Sequence, residues 1–230
     1  MPASPLVTAL IATRRPAFVP EILAMMRAQD HRPVEIVLVL HGIDPPPRVE
    51  AADKVMSAPA AWSLGECLNA GIAESSGDII AKIDDDDIYT PGYLSEAVTQ
   101  LATGRAGVVG KAEHLIYYVP SRELHLWHPG ASHHEQHYLP GGTLVFGRRL
   151  GLSPGFPPLS LGEDNVFCES CRAQGEILWS TSRRNHVVRR FADEHHTSLR
   201  KSYMLAERAI LLQRDVDPDV SALLKIAAGG

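Results

Sequence analysis

Cysteine is scarce in this chain, with three among 230 residues. So odd and sparse a set gives no disulfide framework and fits a reducing compartment. Long apolar runs are missing too: the cleanest, such as Ile36–Leu40, are strand-sized and far short of the ~20 residues that span a bilayer. There is no basic excess, because Lys+Arg 22 against Asp+Glu 27 leaves a formal charge of -5. That balance excludes the basic face or arm of a dedicated nucleic-acid binder. The apolar stretch Leu6–Ala12 is short and is followed, not preceded, by Arg14 and Arg15, the reverse of a secretory signal. A cytoplasmic protein is expected, any association with the inner face of a membrane being peripheral. No internal repeat, low-complexity tract or linker interrupts the chain.

What is present is an ordinary globular composition, 45% hydrophobic and 21% charged over a length that suits one large domain with a two-sided core. Leu6–Ala12, Val34–Leu40, Lys54–Ser57 and Asp78–Ile83 read as strands. Between them Val19–Ala28 and Leu64–Glu74 carry apolar residues at helical spacing, Ile22, Leu23 and Met26 in one, Leu64, Leu68 and Ile72 in the other. Such β-α-β alternation predicts an α/β fold with a mainly parallel sheet flanked by helices. Thr90-Pro91 reads as a helix start with Thr90 as N-cap. After about residue 103 the pattern changes. Val108–Val119, Leu124–His128 and Thr143–Phe146 read as strands of a smaller antiparallel extension, followed by a helix over Glu163–Ala173, strands at Ile177–Trp179 and His186–Arg190, and a closing helix over Leu199–Leu212. The expected division is residues 1–103, 104–198 and a C-terminal helix and tail at 199–230, the tail after Pro218 fraying.

The residues that carry most weight are Asp84-Asp85-Asp86-Asp87, directly after the apolar strand Asp78–Ile83. Ligands of open parallel sheets bind outside the carboxyl ends of the strands. Thr13-Arg14-Arg15 and His41-Gly42 end the first two strands at the same rim. At an effective dielectric of ~20, two like charges ~5 Å apart cost about 3 kcal/mol, so the acidic run calls for a counter-ion. Mg²⁺ or Mn²⁺, completed by substrate phosphates, matches an all-oxygen carboxylate site. The alternative is a solvated acidic turn at a helix start.

Leu6–Gly42 and Leu64–Ala97, with IDDDD at a strand end and Asn69 and Gly71 in an Asn-x-Gly helix, resemble the nucleotide-binding half of the family 2 glycosyltransferases, which have the GT-A fold. The stretch GGTLVFGRRLGLSPGFPPLSLGEDNVF, with its Glu163-Asp164 pair, resembles that family's acceptor half. The resemblance covers roughly Pro5–Ser198. It implies an inverting, metal-assisted transfer of a sugar from a nucleotide diphosphate sugar, UDP-linked by default, to a hydroxyl of a glycan or other acceptor.

Carried over position by position, Asp84 contacts the ribose and Asp86 ligates the metal, residues two apart on an extended segment pointing the same way. Asp85 is counted with the nucleotide site but faces elsewhere, and Asp87 caps the next helix. Thr13 and Arg15 lie along the nucleotide, and Asn69 belongs to the same half. Asp164 is the expected general base, with Glu163 as substitute; a helix N-terminus favours the ionised carboxylate. His196 stands as a contact to the diphosphate or the metal, or as a structural histidine. The resemblance has gaps. Leu40-His41-Gly42 stands where relatives carry acidic residues that read the base, which leaves His41 as the base contact. Leu68 replaces an Arg before Asn69, and Arg172 lies beyond the spacing at which relatives place an Arg after the Glu-Asp pair.

Two further patterns are weaker. Cys168 and Cys171 form a lone CxxC, better explained by core packing than by zinc or redox chemistry. His125, His128, His133, His134 and His137 cluster in one loop-rich stretch, which reads first as a surface loop covering or selecting the acceptor and second as a zinc site. Rival functions are a sugar-nucleotide pyrophosphorylase, against which stands the absence of glycine from ATRRPAF, and a non-catalytic metal-dependent nucleotide- or carbohydrate-binding module.

Overall fold

A computed structural model describes residues 4–43, 49–191 and 208–229. Two sheets organise it. The larger has eight strands in the order β3-β2-β1-β4-β10-β6-β11-β9. Its centre is parallel: β1 (Val7–Thr13) lies between β2 (Val34–His41) and β4 (Ile79–Ile83), with β3 (Lys54–Ala58) outside β2. These strands are near-continuous apolar runs because helices cover both faces. Ala9, Ile11, Ile36 and Leu38 point to the face covered by α1 (Val19–Arg27), with its Ile22, Leu23 and Met26. Leu10, Val37 and Val39 point to the face covered by α2 (Leu64–Glu74), with its Leu68 and Ile72. A capping box starts α2, the Ser63 Oγ accepting from Glu66 N and the Glu66 carboxylate from Ser63 N. Gly71 sits where α2 crosses β1; a Cβ there would lie 2.3 Å from Leu10 Cδ1.

The second half does not form a separate body. It completes the large sheet with β6 (Val108–Gly110), β9 (Glu135–Gln136), β10 (Val145–Gly147) and β11 (Leu178–Ser180), and β10 runs antiparallel between β4 and β6. The smaller sheet has the order β13-β8-β7-β12-β5, formed by β5 (Ile88–Tyr89), β7 (His114–Tyr118), β8 (Glu123–Trp127), β12 (His186–Arg190) and β13 (Ala209–Gln213). It is mixed, since β7 and β12 pair in parallel and the other pairs are antiparallel. The remaining helices are α3 (Tyr93–Ala102), α4 (Arg148–Leu152), α5 (Glu163–Ala173) and α6 (Val220–Ala228). No helix among the described residues is long and apolar enough to cross a membrane.

Four expectations are corrected. Val108–Val119 is two strands in different sheets. The chain turns at Lys111, whose buried ammonium is tied to Glu96 at 2.8 Å and to Ser182 O at 2.9 Å. Thr90 does not cap α3: residue 92 is the N-cap, while the Thr90 hydroxyl donates to Asn185 Oδ1 at 2.6 Å. The described part of the closing helix is largely β13, because Ala209–Gln213 finds the backbone of β8 free to pair. The tail is α6, not a frayed end: Asp219 caps it, Leu223 and Ala227 enter the main core, and Asn185 N donates to Ala227 O at 2.7 Å. Cys168 and Cys171 are buried free thiols in the core under α5, their thiols pushed by burial up to about 12, as the packing explanation requires.

Candidate active site

The carboxyl end of β4 opens on a cavity of about 410 Å³. Its acidic rim is the run Asp84–Asp87, which is not extended; residues 85 and 86 form a turn that leads into β5. The four carboxylates therefore meet different sets of partners, with Arg15 shared by two of them. Asp84 Oδ1 accepts from Lys82 Nζ at 2.8 Å. Asp85 is bound by the Thr13 hydroxyl and the Arg15 guanidinium, and Arg15 also reaches Asp86 Oδ2 at 2.9 Å. Asp87 does not cap a helix. It is buried against β12, where Arg189 N donates to Oδ1 and His186 Nε2 lies 3.1 Å from Oδ2. Arg189 also donates from Nε to the Asp86 carbonyl, strapping the turn to the second sheet.

Part of the counter-charge that the acidic run demands thus comes from the protein itself. Burial opposes ionisation of Asp84, yet the adjacent Lys82 holds its carboxyl below the usual range. Lys82 is buried at 3% exposure, and although burial favours its neutral form, Asp84 and Glu163 raise its pKa so that it stays an ammonium. Asp86 and Asp87 are under-compensated: burial first, then neighbouring carboxylates, push both up to about 7. His186 is wholly buried and, held neutral with a pKa of about 3 by desolvation, donates from Nε2 to Asp87, while its Nδ1 has no partner among the described residues.

The opposite rim comes from the second half. Residues 141–143 form a 3-10 turn just before β10, the strand adjacent to β4. A Cβ at 142 would lie 2.6 Å from Asp84 Oδ2, so any side chain there would displace the Asp84 carboxylate. A Cβ on Gly141 would lie 3.0 Å from Asp164 Oδ2 and 3.1 Å from Lys82 Nζ, so the ammonium and the carboxylate converge over the bare face of this glycine. Tyr89, from β5, stitches the rims together: its hydroxyl accepts from Asp84 N at 3.0 Å and donates to Gly142 O at 2.7 Å. Asp164, in the first turn of α5, is half-buried. Its Oδ2 accepts from Tyr138 OH at 2.6 Å and Gly141 N at 3.0 Å, and its Oδ1 from Asn165 N at 2.8 Å. Glu163 is buried beside it, and burial raises its carboxyl pKa.

The cavity brings together Arg15, Asp84, Asp85, Asp86, Glu163 and Asp164 of the expected site residues. Three others stand outside its lining. Thr13 is spent on Asp85 and Arg15 N. Asn69 grips the backbone of Phe156 through both ends of its amide, at 2.8 and 2.9 Å. His41, buried at the end of β2, lies against the Arg14 guanidinium with contacts of 3.0 and 2.8 Å. His196 lies outside the described residues. In the histidine-rich stretch, His125 is buried on β8, while His133, His134 and His137 are exposed, and no group of three or more His, Cys, Asp or Glu among the described residues is placed to hold a metal. The carboxylates of Asp84 and Asp86 both line the cavity, an all-oxygen donor chemistry of the kind that suits a hard cation completed by phosphate oxygens. Residues that sequence reasoning missed are Lys82, Tyr138 and His186. Lys82 carried a signal, a lone cation inside an apolar strand, two positions before Asp84.

Comparison with known proteins agrees with this fold. No curated protein matches the chain by sequence. Among solved structures, the mannosyltransferase PcManGT from Pyrobaculum calidifontis, solved with GDP-Man and Mn²⁺, superposes with a TM-score of 0.60 at 16% identity, covering 85% of this chain and 59% of that one. S. aureus TarS 1-349, solved with UDP-GlcNAc, gives 0.61 at 16% identity, covering 84% and 61%. The fold is thus that of the GT-A glycosyltransferases, and the chain spans about six-tenths of each neighbour's length. The sequence profile described as glycosyl transferase family 2 matches residues 9–149, more than half of the chain, and the protein therefore belongs to that family.

Proposed function

We propose that this protein is an inverting glycosyltransferase that moves a sugar from a nucleoside diphosphate sugar to an acceptor hydroxyl. The observation that carries the reading is the convergence on one cavity of the strand-end carboxylates Asp84 and Asp86 and the helix-start carboxylate Asp164, with Lys82 and Asp164 meeting over the same side of Gly141. The donor lies along the ends of β1, β2 and β4, with Arg14 and His41 near the base and Arg15 near the diphosphate. Neighbours of the same fold were solved with GDP-Man and with UDP-GlcNAc, and a UDP- or GDP-linked sugar is the donor class proposed here.

Asp164 is the general base. Gly141 N–H and Tyr138 OH fix its Oδ2, and a proton from the acceptor hydroxyl passes to this carboxylate. As the hydroxyl oxygen bonds to the anomeric carbon, the bond from that carbon to the diphosphate breaks and its electron pair leaves with the nucleoside diphosphate. One displacement inverts the anomeric centre. Lys82 presents a permanent positive charge on the same cavity, where low dielectric strengthens its effect on developing negative charge. Mn²⁺ or Mg²⁺, held by Asp86 with Asp84, would act as a Lewis acid on the leaving diphosphate.

Thermal shift with UDP and GDP, each with and without Mn²⁺, tests the donor half, since a ligand that binds only the folded state raises Tm. A rise with one nucleotide that needs Mn²⁺, and its loss in Asp86→Ala with the fold retained, is the expected result. No rise with any nucleoside diphosphate would overturn the reading.

A further inference from the structure

The second sheet has two faces of different chemistry. Alternation along β7 sends Leu115 and Tyr117 into the main core, with Leu124 and Leu126 of β8 and Val187 of β12. The intervening positions face the other way. Ile116 and Val188 are partners in register and form a small separate cluster, against which the half-buried Trp127 indole packs. His114 stands opposite Trp127 in the β7–β8 pair, the ring centroids 6.5 Å apart. Ile116, Val188, Trp127, His114, His186 and Arg190 all line the same cavity as Asp84 and Asp164. This wall is unlike the rest of the cavity, because an indole and aliphatic side chains sit among imidazoles and a guanidinium. One of those imidazoles, His186, is 0% exposed and has no partner for Nδ1 among the described residues.

We propose that this wall is the acceptor subsite, and that the acceptor is a glycan end with one pyranose ring stacked on Trp127. The inference rests on the transferase reading above. A pyranose offers a face of C–H bonds to an aromatic or aliphatic surface and a rim of hydroxyls to hydrogen-bonding groups. The wall carries both kinds of partner side by side. A lipid chain would use Ile116, Val188 and Trp127 but would offer nothing to the Arg190 guanidinium or to His186 Nδ1. A nucleobase would stack on the indole, but the ends of β1 and β2, where the donor nucleoside is placed, belong to the other sheet.

The test follows the indole N–H resonance of Trp127 in ¹⁵N-labelled protein, assigned by its disappearance in Trp127→Phe. The probes are methyl glycosides of glucose, galactose, mannose and N-acetylglucosamine, with n-hexanol as the non-sugar control, each added with and without UDP or GDP plus Mn²⁺. At least one glycoside should shift the resonance. Its affinity, measured by saturation transfer, should fall about tenfold in Trp127→Ala and be largely kept in Trp127→Tyr, the size expected of one aromatic contact. Nucleotide affinity should be equal in all variants. The inference is overturned if only hexanol shifts the signal, if no glycoside does, if Trp127→Ala binds the glycoside as well as the parent, or if that variant loses nucleotide affinity, which would give the wall to the donor. If the parent protein binds no nucleoside diphosphate, the transferase reading fails, and the wall is decided by the glycoside titration alone.

Discussion

Tyr138 donates a 2.6 Å hydrogen bond to Asp164 Oδ2, the oxygen that also accepts from Gly141 N–H. Two donors on one oxygen orient the carboxylate. The phenol is suited to this place: burial and the adjacent Asp164 raise its own pKa, so it donates without surrendering its proton.

The first prediction follows from that contact. Asp164→Asn should leave nucleotide binding intact and lower turnover by ~10² to 10⁴, the usual contribution of a positioned base. Tyr138→Phe should lower kcat by about tenfold, consistent with the loss of one orienting hydrogen bond. Donor titration and single-turnover transfer in the same variants check both. Full transfer in Asp164→Asn with loss in Glu163→Gln would exchange the roles of the pair.

A second prediction concerns Lys82 and Asp84. Removing one member of a buried ion pair strands the other, so Lys82→Met should cost about 2 kcal/mol, Asp84 being partly exposed. Asp84→Asn placed in the same chain should restore part of that loss. A double-mutant cycle by urea unfolding measures it, and strictly additive costs would show that the two do not act as a pair.

Glu35 gives a third. Burial works against its charge, but Lys54 at 2.8 Å, the Ser76 N–H and the Thr8 hydroxyl hold its carboxyl down at about 2, below the ordinary 4.5. A folded value below the unfolded one stabilises above pH 4.5, and this stability drains away as pH falls from 4.5 towards 2. Glu35→Gln should therefore be less stable by on the order of 2 kcal/mol at pH 7 and should lose part of the acid slope below pH 4.5. Equal slopes in parent and variant would refute it.

His114 gives the opposite kind of group. Desolvation, reinforced by His186, lowers its pKa from 6.5 to about 3. The unfolded chain then binds more protons between those values, so stability should fall as pH drops below about 6.5, by at most about 1.4 kcal/mol per pH unit per histidine. His114→Phe should flatten this part of the curve. Urea unfolding at several values between pH 7.5 and 5 distinguishes a flattened profile from an unchanged one.

The parallel centre of the fold was legible because Leu6–Ala12, Val34–Leu40 and Asp78–Ile83 are buried on both faces and leave no competing period. What followed residue 103 was less so. Val108–Val119 reads as one apolar run, and its break at Lys111 depends on Glu96 from a distant helix, which no local pattern reveals. The tail after Pro218 hid a helix because Leu223 and Ala227 need the core they dock on. Of the candidate site, the carboxylates were legible because IDDDD follows a buried strand. Their individual partners were not, since the run turns instead of extending, and a turn aims each residue separately. Asn69 illustrates the same limit: its position on α2 was readable, but its engagement with the Phe156 backbone arises from a loop 87 residues away in sequence.

Half of the wall, His114, Ile116 and Trp127, comes from one uninterrupted hairpin, β7 and β8, joined by a short turn over residues 119–122, and the other half from β12. The acidic rim and the Gly141–Gly142 turn are instead locked into the seam between β4 and β10, on the other sheet. The fold thereby separates a cassette from a chassis. On the acceptor subsite proposed above, a graft of residues 114–127 would change half of that wall without cutting the seam, and shuffling this hairpin among relatives is a practical way to alter acceptor preference separately from the proposed donor site.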